Sequence, residues 1–176
     1  MHRVNLFIPD SIIKSVLEIQ FREINAADYP FLREMLYQAV FVPPGHEPYD
    51  KSIIDLPEIS KYIEGWNDSR DFGILCYNQE EQLGAIWGRL FTIHNKGYGF
   101  VDAETPELTM AVISDFRNHG IGTRLMQRFL QQARKKGYHS VSLSVDMRNR
   151  AFDFYKRMGF IIVEETNGSA TMKKQL

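Results

Sequence analysis

Hydrophobic and polar residues alternate along this chain in segments that predict an α/β domain. Apolar residues at helical spacing predict four helices, which begin near Asp28, Pro57, Ile121 and Ala151. Alternating or continuous apolar runs predict strands at residues 19–24, 72–77, 83–91, 107–114, 140–145, 160–163 and 170–172. The resulting order, β-α-α-β-β-β-α-β-α-β-β, indicates a mixed, mainly antiparallel twisted sheet flanked by helices.

Local signals mark several ends of these elements. Asp28 is a candidate N-cap of the first helix, and the third helix ends in two lysines followed by Gly137. The dipeptide at residues 167–168 (N-G) predicts a type I′ hairpin between the last two strands. Residues 41–50 contain three prolines and a glycine, so they predict a long loop of the kind that often carries function.

The chain length of 176 residues fits one domain, which we place at residues 19–176 after an N-terminal extension of residues 1–18. Residues 11–18 of that extension have the pattern of a short helix. Pro9 interrupts the apolar run at residues 4–8 well before a signal peptide or membrane span would end. The single cysteine, Cys76, lies in an apolar run and predicts a buried thiol in a reducing, cytoplasmic setting.

The net charge and the spacing of the histidines indicate which ligands and partners are not expected. The 21 basic residues nearly balance the 22 acidic ones, which disfavours nucleic acid and anionic membranes as partners. The five histidines show no metal-ligand spacing, so no metal site is expected.

Residues 117–123 (R-N-H-G-I-G-T) join a strand to a helix through two closely spaced glycines. Gly120 and Gly122 lack a Cβ, and the first N–H groups of a helix have no partners within it, so this turn is a candidate anion site. The alternative is a tight turn with a purely structural role. A P-loop would need lysine after Gly122, and the dinucleotide pattern would need glycine where Leu125 stands, so both are excluded.

Two segments resemble the GNAT superfamily of acyl-CoA-dependent N-acetyltransferases. Residues 117–122 (R-N-H-G-I-G) match its R/Q-x-x-G-x-G/A signature. Residues 149–160 (N-R-A-F-D-F-Y-K-R-M-G-F) resemble the family's later segment, in which an asparagine precedes a Phe-Tyr pair and a closing Gly-Phe. The two segments occur in the family's order, and the resemblance covers residues 19–176.

The resemblance implies a binding site for acetyl-CoA. Backbone amides of the 117–123 turn would hold the coenzyme A pyrophosphate, Arg117 would add charge, and the strand before the turn would pair with the pantetheine arm. A backbone N–H near Ala111 or Val112 would stabilise the negative charge on the thioester oxygen. The implied cofactor-binding residues are Ala111, Val112, Ile113, Arg117, Asn118, His119, Gly120, Ile121, Gly122, Thr123, Asn149, Phe152 and Tyr155.

Two side chains are candidates for acid–base catalysis. Tyr155, whose usual pKa of about 10 exceeds the ~8.5 of a thiol, is the candidate general acid for the departing thiolate. Glu107, at the start of the strand expected to carry the thioester, is the candidate general base, with Glu104 and Asp102 as substitutes. The alternatives are a tyrosine that only packs, a surface glutamate, and for Asn149 a role as helix cap.

The predicted activity is direct transfer of an acetyl group to a primary amine in a ternary complex. A small molecule or a peptide remains open as the acceptor. A non-catalytic acyl-CoA-binding module and an acetyltransferase for a macromolecular target are the competing interpretations. Dimers are common in the family, so a homodimer is also considered. The acceptor is expected to meet the loop at residues 41–57 and the side chains of Trp66, Trp87, Arg89, Tyr98 and Glu104.

Overall fold

A seven-stranded sheet forms the centre of the molecule in a computed structural model that describes residues 19–66, 69–79 and 81–176. Its strands are β1 (Gln20–Glu23), β2 (Phe72–Tyr77), β3 (Gln82–Arg89), β4 (Glu107–Val112), β5 (Ser140–Asp146), β6 (Ile161–Thr166) and β7 (Ser169–Gln175). Across the sheet the order is β1-β2-β3-β4-β5-β7-β6, and only the β4–β5 pair is parallel. The predicted mixed, mainly antiparallel sheet is therefore confirmed.

The helices flanking the sheet are α1 (Tyr29–Ala39), α2 (Pro57–Ser60), α3 (Ile121–Lys135) and α4 (Ala151–Arg157). Their order along the chain is the predicted one. The second helix is shorter than its apolar stripe suggested, because the chain turns after Ser60 and Gly65 adopts a left-handed φ of 60°. A 3-10 turn at Lys51–Asp55 lies in the predicted 41–57 loop. The predicted helix at residues 11–18 and the role of the extension lie outside the described residues.

Each face of the sheet carries its own hydrophobic core. On one face α3 places Leu125, Met126 and Phe129 against the sheet, together with aromatic residues of α4. On the other face α1 and residues 53–66 pack over Trp87 and its neighbours in β2, β3 and β4. Because the two cores are separated by the sheet, side chains of a single strand alternate between them.

Three of the predicted element ends are confirmed in position, and one strand ends earlier than predicted. Gly137 follows α3 with a φ of 86°, and residues 167–168 have φ of 52° and 82°, as a type I′ hairpin requires. Asp28 stands at the N-cap position of α1 as predicted, but its side chain makes no capping hydrogen bond, and its two oxygens bind Arg22 at 2.6 and 2.7 Å instead. Strand β4 ends at Val112, two residues before the predicted end, where the chain enters a 3-10 turn at Ser114–Phe116.

Within the described part of the chain, no helix has both the length and the apolar character needed to cross a lipid bilayer.

Candidate active site

Strands β4 and β5 diverge, and the opening between them is the central feature of the site. Their pairing over the described residues is limited to Glu107 and Ser142, with Ser142 N–H donating to Pro106 O at 3.0 Å. Beyond that point β4 remains paired with β3 as far as Val112. One edge of β4 therefore faces an opening that leads towards residues 117–123.

The register of β3 with β4 decides which backbone groups face this opening. Ile113 N–H donates to Leu83 O at 2.9 Å, and Ala85 is the partner of Ala111. Because antiparallel hydrogen bonding alternates from residue to residue, the amides of Ala111 and Ile113 face β3, whereas those of Met110 and Val112 face the opening. Of the three predicted backbone positions, only Val112 therefore has its amide directed to the opening, and sequence reasoning missed Met110.

The turn at residues 117–123 has the backbone shape of an anion site. Asn118 and Gly120 adopt left-handed φ angles of 65° and 78°, and Gly120 O accepts from Arg124 N at 3.2 Å to begin α3. The first amides of this 15-residue helix lack partners within it and point out of its N-terminus. An added Cβ at Gly122 would come no closer than 3.8 Å to a neighbouring atom, Met110 Cε.

The Arg117 side chain bridges the turn to both β4 and α1. Its Nε donates to Val112 O at 2.8 Å, and its Nη2 donates to Gln38 Oε1 at 3.0 Å. The guanidinium therefore uses two of its donors to hold the turn beside the end of β4. Its predicted contribution of charge to a pyrophosphate stays a prediction.

The second motif forms the start and the buried face of α4. Asn149 Oδ1 accepts at 2.9 Å from the N–H of Ala151, the first residue of α4, so Asn149 supplies an acceptor to the helix start although Arg150 occupies the N-cap position. Tyr155 is 7% exposed, and its ring packs edge to face on Phe154 and Phe160. Burial raises the pKa of Tyr155 to about 12, so the hydroxyl keeps its proton at neutral pH. Phe152 is half-buried beside Lys156, whose Nζ lies 5.3 Å from the ring centroid.

Glu107 is buried at the point where β4 and β5 begin to separate, with 3% of its surface exposed. Its Oε1 accepts from Tyr62 Oη at 2.7 Å and from Gly99 N at 2.8 Å. Its Oε2 is buried without a hydrogen-bond partner among the described residues. Desolvation outweighs these hydrogen bonds and the charge of Lys61, and it raises the Glu107 pKa to about 7.

The segment at residues 96–100 covers the Glu107 carboxylate. An ideal Cβ on Gly97 would lie 2.0 Å from Glu107 Oε2, and one on Gly99 would lie 2.3 Å from the Leu143 backbone. At Gly99 the close neighbours are backbone atoms, so this packing requires glycine there, whereas a side chain at position 97 would displace the Glu107 carboxylate. Sequence reasoning missed this cover, although two glycines flanking Tyr98 were a signal for a close backbone approach.

The predicted acceptor-binding side chains occupy different environments. Trp87 is fully buried and donates its Nε1 proton to Tyr62 O at 2.9 Å, so the prediction that it contacts an acceptor is wrong. Tyr98 is 60% exposed and stacks on Tyr62 with ring centroids 6.4 Å apart. Trp66 is partly buried against the α1 side of the sheet. Glu104 is exposed in a groove of about 530 Å³ beside the N-terminal end of β5.

Arg89 is largely buried, with 13% of its side chain exposed, and its guanidinium binds groups within the chain. Its guanidinium pairs with both oxygens of Asp71 at 2.9 and 3.1 Å. It also donates to Lys61 O at 2.9 Å and to Glu64 O at 2.7 Å. These contacts fix the chain on both sides of Tyr62, and the predicted contact of Arg89 with an acceptor stays a prediction.

Comparison with known proteins identifies a family. The sequence model for the acetyltransferase (GNAT) family matches residues 22–160, which confirms the resemblance carried by the two motifs. An uncharacterized N-acetyltransferase of Methanocaldococcus jannaschii is 41% identical over 63 residues, which are 35% of this chain and 28% of that protein. N-alpha-acetyltransferase 50 of Danio rerio is 24% identical over 131 residues, which are 73% of this chain and 67% of that protein.

A solved structure supports the fold. The PaiA N-acetyltransferase of Thermoplasma acidophilum, in complex with coenzyme A, superposes with a TM-score of 0.60 at 18% identity. The superposition covers 90% of this chain and 99% of that chain. At this identity the similarity concerns the fold alone, and the family match carries the class of chemistry.

Proposed function

The chain belongs to the acetyltransferase (GNAT) family, whose acetyl donor is acetyl-CoA. On this premise we propose that a domain at residues 19–176 transfers the acetyl group directly to a primary amine in a ternary complex, with Glu107 as the general base. The observation that carries the proposal is the buried carboxylate of Glu107 at the divergence of β4 and β5, with its pKa raised to about 7.

The described residues fit the donor. The free amides at the start of α3 suit the pyrophosphate, and the outward-facing edge of β4 at Met110 and Val112 suits an extended pantetheine arm. A Val112 N–H that faces the opening is the candidate donor to the thioester oxygen. When bound, acetyl-CoA supplies an acyl thioester that an amine can attack.

The two faces of the sheet separate the donor from the acceptor. Helix α3, with the anion-binding turn, packs on one face, whereas the Glu107 side chain contacts Tyr62 on the other face. In this arrangement the amine approaches from the α1 side, and the segment at residues 96–100 lies between it and the buried Glu107 carboxylate. Tyr98, exposed on that side, is the aromatic side chain best placed to contact the amine.

Proton transfer is assigned to two side chains. Glu107 accepts a proton from the acceptor ammonium, directly or through water, so that the amine can attack the acyl carbon. The N–C bond forms and the C–S bond breaks as Tyr155 donates a proton to the departing thiolate. Tyr155 recovers a proton from the nitrogen, which must lose one to become an amide, and Glu107 releases its proton to solvent. The raised pKa of Tyr155 keeps this proton available, while Cys76, which is buried and has a pKa raised to about 12, is unsuited to forming an acyl intermediate.

Cofactor binding is tested by calorimetry with acetyl-CoA on Gly122→Glu. The fold has room for a side chain at this position, so the added negative charge should repel the pyrophosphate and weaken binding at least tenfold. Gln127→Glu makes the same charge change on the exposed surface of α3 and should bind as the wild type does. Equal affinity in the two variants would remove the turn from the cofactor site.

Catalysis is tested by thiol release on a panel of primary amines that includes polyamines, amino acids and peptides. Glu107→Gln should retain acetyl-CoA binding and lose at least tenfold in kcat/KM at pH 7.5. Tyr155→Phe should retain binding and release thiol more slowly. Full activity in either variant would remove that residue from the mechanism.

The competing interpretations predict different results. A non-catalytic acyl-CoA-binding module would bind acetyl-CoA and release no thiol with any amine. An acetyltransferase for a macromolecule would fail on small amines and act on peptides or intact proteins. The buried, perturbed carboxylate favours the catalytic interpretation, because a binding module has no use for a base. Cytoplasmic location and a homodimer stay predictions.

A further inference from the structure

The two oxygens of the Glu107 carboxylate have different surroundings. Oε1 has two donors, Tyr62 Oη and Gly99 N, at 2.7 and 2.8 Å. Oε2 has no hydrogen-bond partner among the described residues and lies under Gly97. A carboxylate with one saturated oxygen takes up its proton on the other, because a proton on Oε1 would displace an existing donor.

The side chain of Tyr62, which donates to Oε1, is held in place by several contacts. Its hydroxyl donates to Glu107 and accepts from Tyr98 N at 2.6 Å, so both sides of the oxygen are used. Its backbone carbonyl accepts from Trp87 Nε1, and its ring packs edge to face on Phe91 with centroids 5.0 Å apart. Burial, followed by the nearby charge of Glu107, raises the Tyr62 pKa, so this hydroxyl remains a donor while Glu107 titrates.

A buried ion pair between Arg89 of β3 and Asp71, which directly precedes β2, holds the segment that carries Tyr62. Arg89 and Asp71 are 13% and 6% exposed at their side chains, and the Arg89 guanidinium binds the carbonyls of Lys61 and Glu64. Arg89 is the partner of Glu107 across β3 and β4, yet its donors are directed to these groups. The ion pair thus fixes the backbone on both sides of Tyr62.

We propose that Tyr62 is a positioning residue that saturates Oε1 of Glu107 and so assigns Oε2 as the atom that accepts the proton of the acceptor amine. This inference rests on the proposed function, in which Glu107 is the base. Tyr62 touches neither the amine nor the acetyl group. It acts by favouring the ionised form of Glu107 and by holding residues 98–99 over the carboxylate.

The charged and titratable groups around Glu107 come from three places. Tyr62 and Lys61 approach from the segment after α2, Arg89 stands opposite on β3, and residues 96–100 contribute the Gly99 N–H. Ser142, the β5 partner of Glu107, has a buried hydroxyl without a hydrogen-bond partner among the described residues. Tyr62 is therefore the only side chain of this group with a described hydrogen bond to the carboxylate.

The test is Tyr62→Phe, which keeps the ring and removes only the hydroxyl. The Glu107 carboxyl is followed by NMR in protein labelled with 13C at glutamate side chains, and its signal is identified by its loss in Glu107→Gln. Loss of a hydrogen bond to the charged form should raise the Glu107 titration midpoint by about 1 pH unit, a tenfold change in the ionisation constant. Tyr77→Phe is the matched control, because it removes a hydroxyl that donates to Gln20 at 2.9 Å in an exposed region.

Kinetics give a second readout that a purely structural role would not move. In Tyr62→Phe the acidic limb of kcat/KM should shift upward by the same amount as the NMR midpoint, while acetyl-CoA affinity remains unchanged. An unchanged NMR midpoint in a folded Tyr62→Phe protein would overturn the inference about Tyr62. A moved midpoint with full activity in Glu107→Gln would instead overturn the base in the proposed function, because the titration needs no turnover.

Discussion

At the scale of single residues, Glu107 makes activity depend on pH near neutrality. Only the ionised carboxylate accepts a proton, so kcat/KM should rise with pH and level off above the pKa of about 7. The acceptor amine also titrates, and dividing the wild-type profile by that of Glu107→Gln cancels its contribution. The measurement is thiol release from pH 5.5 to 9, and a ratio that is flat across this range would contradict the assignment.

The same carboxylate should reduce the stability of the folded state. Its pKa rises from the ordinary 4.5 to about 7 on folding, so the folded chain binds more protons between these values. The free energy of unfolding therefore falls as pH rises through this window. The total decrease between pH values below 4.5 and above 7 is at most about 3 kcal/mol. Glu107→Gln keeps an acceptor oxygen for Tyr62 and avoids this loss.

Urea unfolding at pH 5 and pH 8 checks this expectation. The advantage of Glu107→Gln over the wild type should be larger at pH 8 than at pH 5. Glu104→Gln, which changes an exposed carboxylate, should show little difference between the two conditions. An equal effect of Glu107→Gln at both pH values would mean that Glu107 titrates normally.

At the scale of single elements, α4 depends on Asn149 for its first turn. Asn149→Ala loses the bond from Ala151 N and should reduce the free energy of unfolding by about 1 kcal/mol, whereas Asn149→Asp should retain most of it. Urea unfolding measures this difference, and calorimetry with acetyl-CoA on the same variants shows whether Asn149 also binds the cofactor. Unchanged stability in Asn149→Ala would contradict this role of Asn149 at the helix start.

Elements with local signals were predictable from the sequence. The hairpin at residues 167–168 and the end of α3 at Gly137 depend on backbone conformations that asparagine and glycine favour. Asp28 takes the predicted N-cap position of α1, but its side chain makes no capping hydrogen bond because Arg22, six residues earlier, binds both of its oxygens. The apolar stripe that runs beyond Ser60 predicted a longer α2. The residues after Ser60 form a turn whose apolar side chains face the core, and such a turn has the same spacing of apolar residues as a helix.

The site was predictable only in part. The strand pattern predicted that Glu107 begins β4. The R-N-H-G-I-G motif predicted the glycines of the 117–123 turn. The contact between Tyr62 and Glu107 joins residues 45 apart, and it depends on how α2 ends and on Arg89. The sequence shows only that Tyr62 lies on an apolar stripe. Its hydrogen bond to Glu107 depends on tertiary packing.

At the scale of the whole molecule, the sheet consists of two parts joined at one point. Strands β1 to β4 form a continuous antiparallel unit, and β5, β7 and β6 form another. Among the described strand pairs, the register of Glu107 with Ser142 alone links the two units. A donor bound in the opening would supply the contacts that a regular sheet would have there, so binding and sheet cohesion should be coupled.

Hydrogen exchange on β4 amides tests this coupling with residue resolution. With acetyl-CoA bound, the Met110 and Val112 amides should become at least tenfold more protected, because the pantetheine arm would cover the edge of β4 that faces β5. The Ala111 and Ile113 amides already face β3 and should gain no more than the rest of the sheet. At an acetyl-CoA concentration near the wild-type dissociation constant, Gly122→Glu should lose most of this protection. Equal protection at all four positions would mean that binding tightens the whole sheet, and the assigned edge of β4 would not be the cofactor's contact.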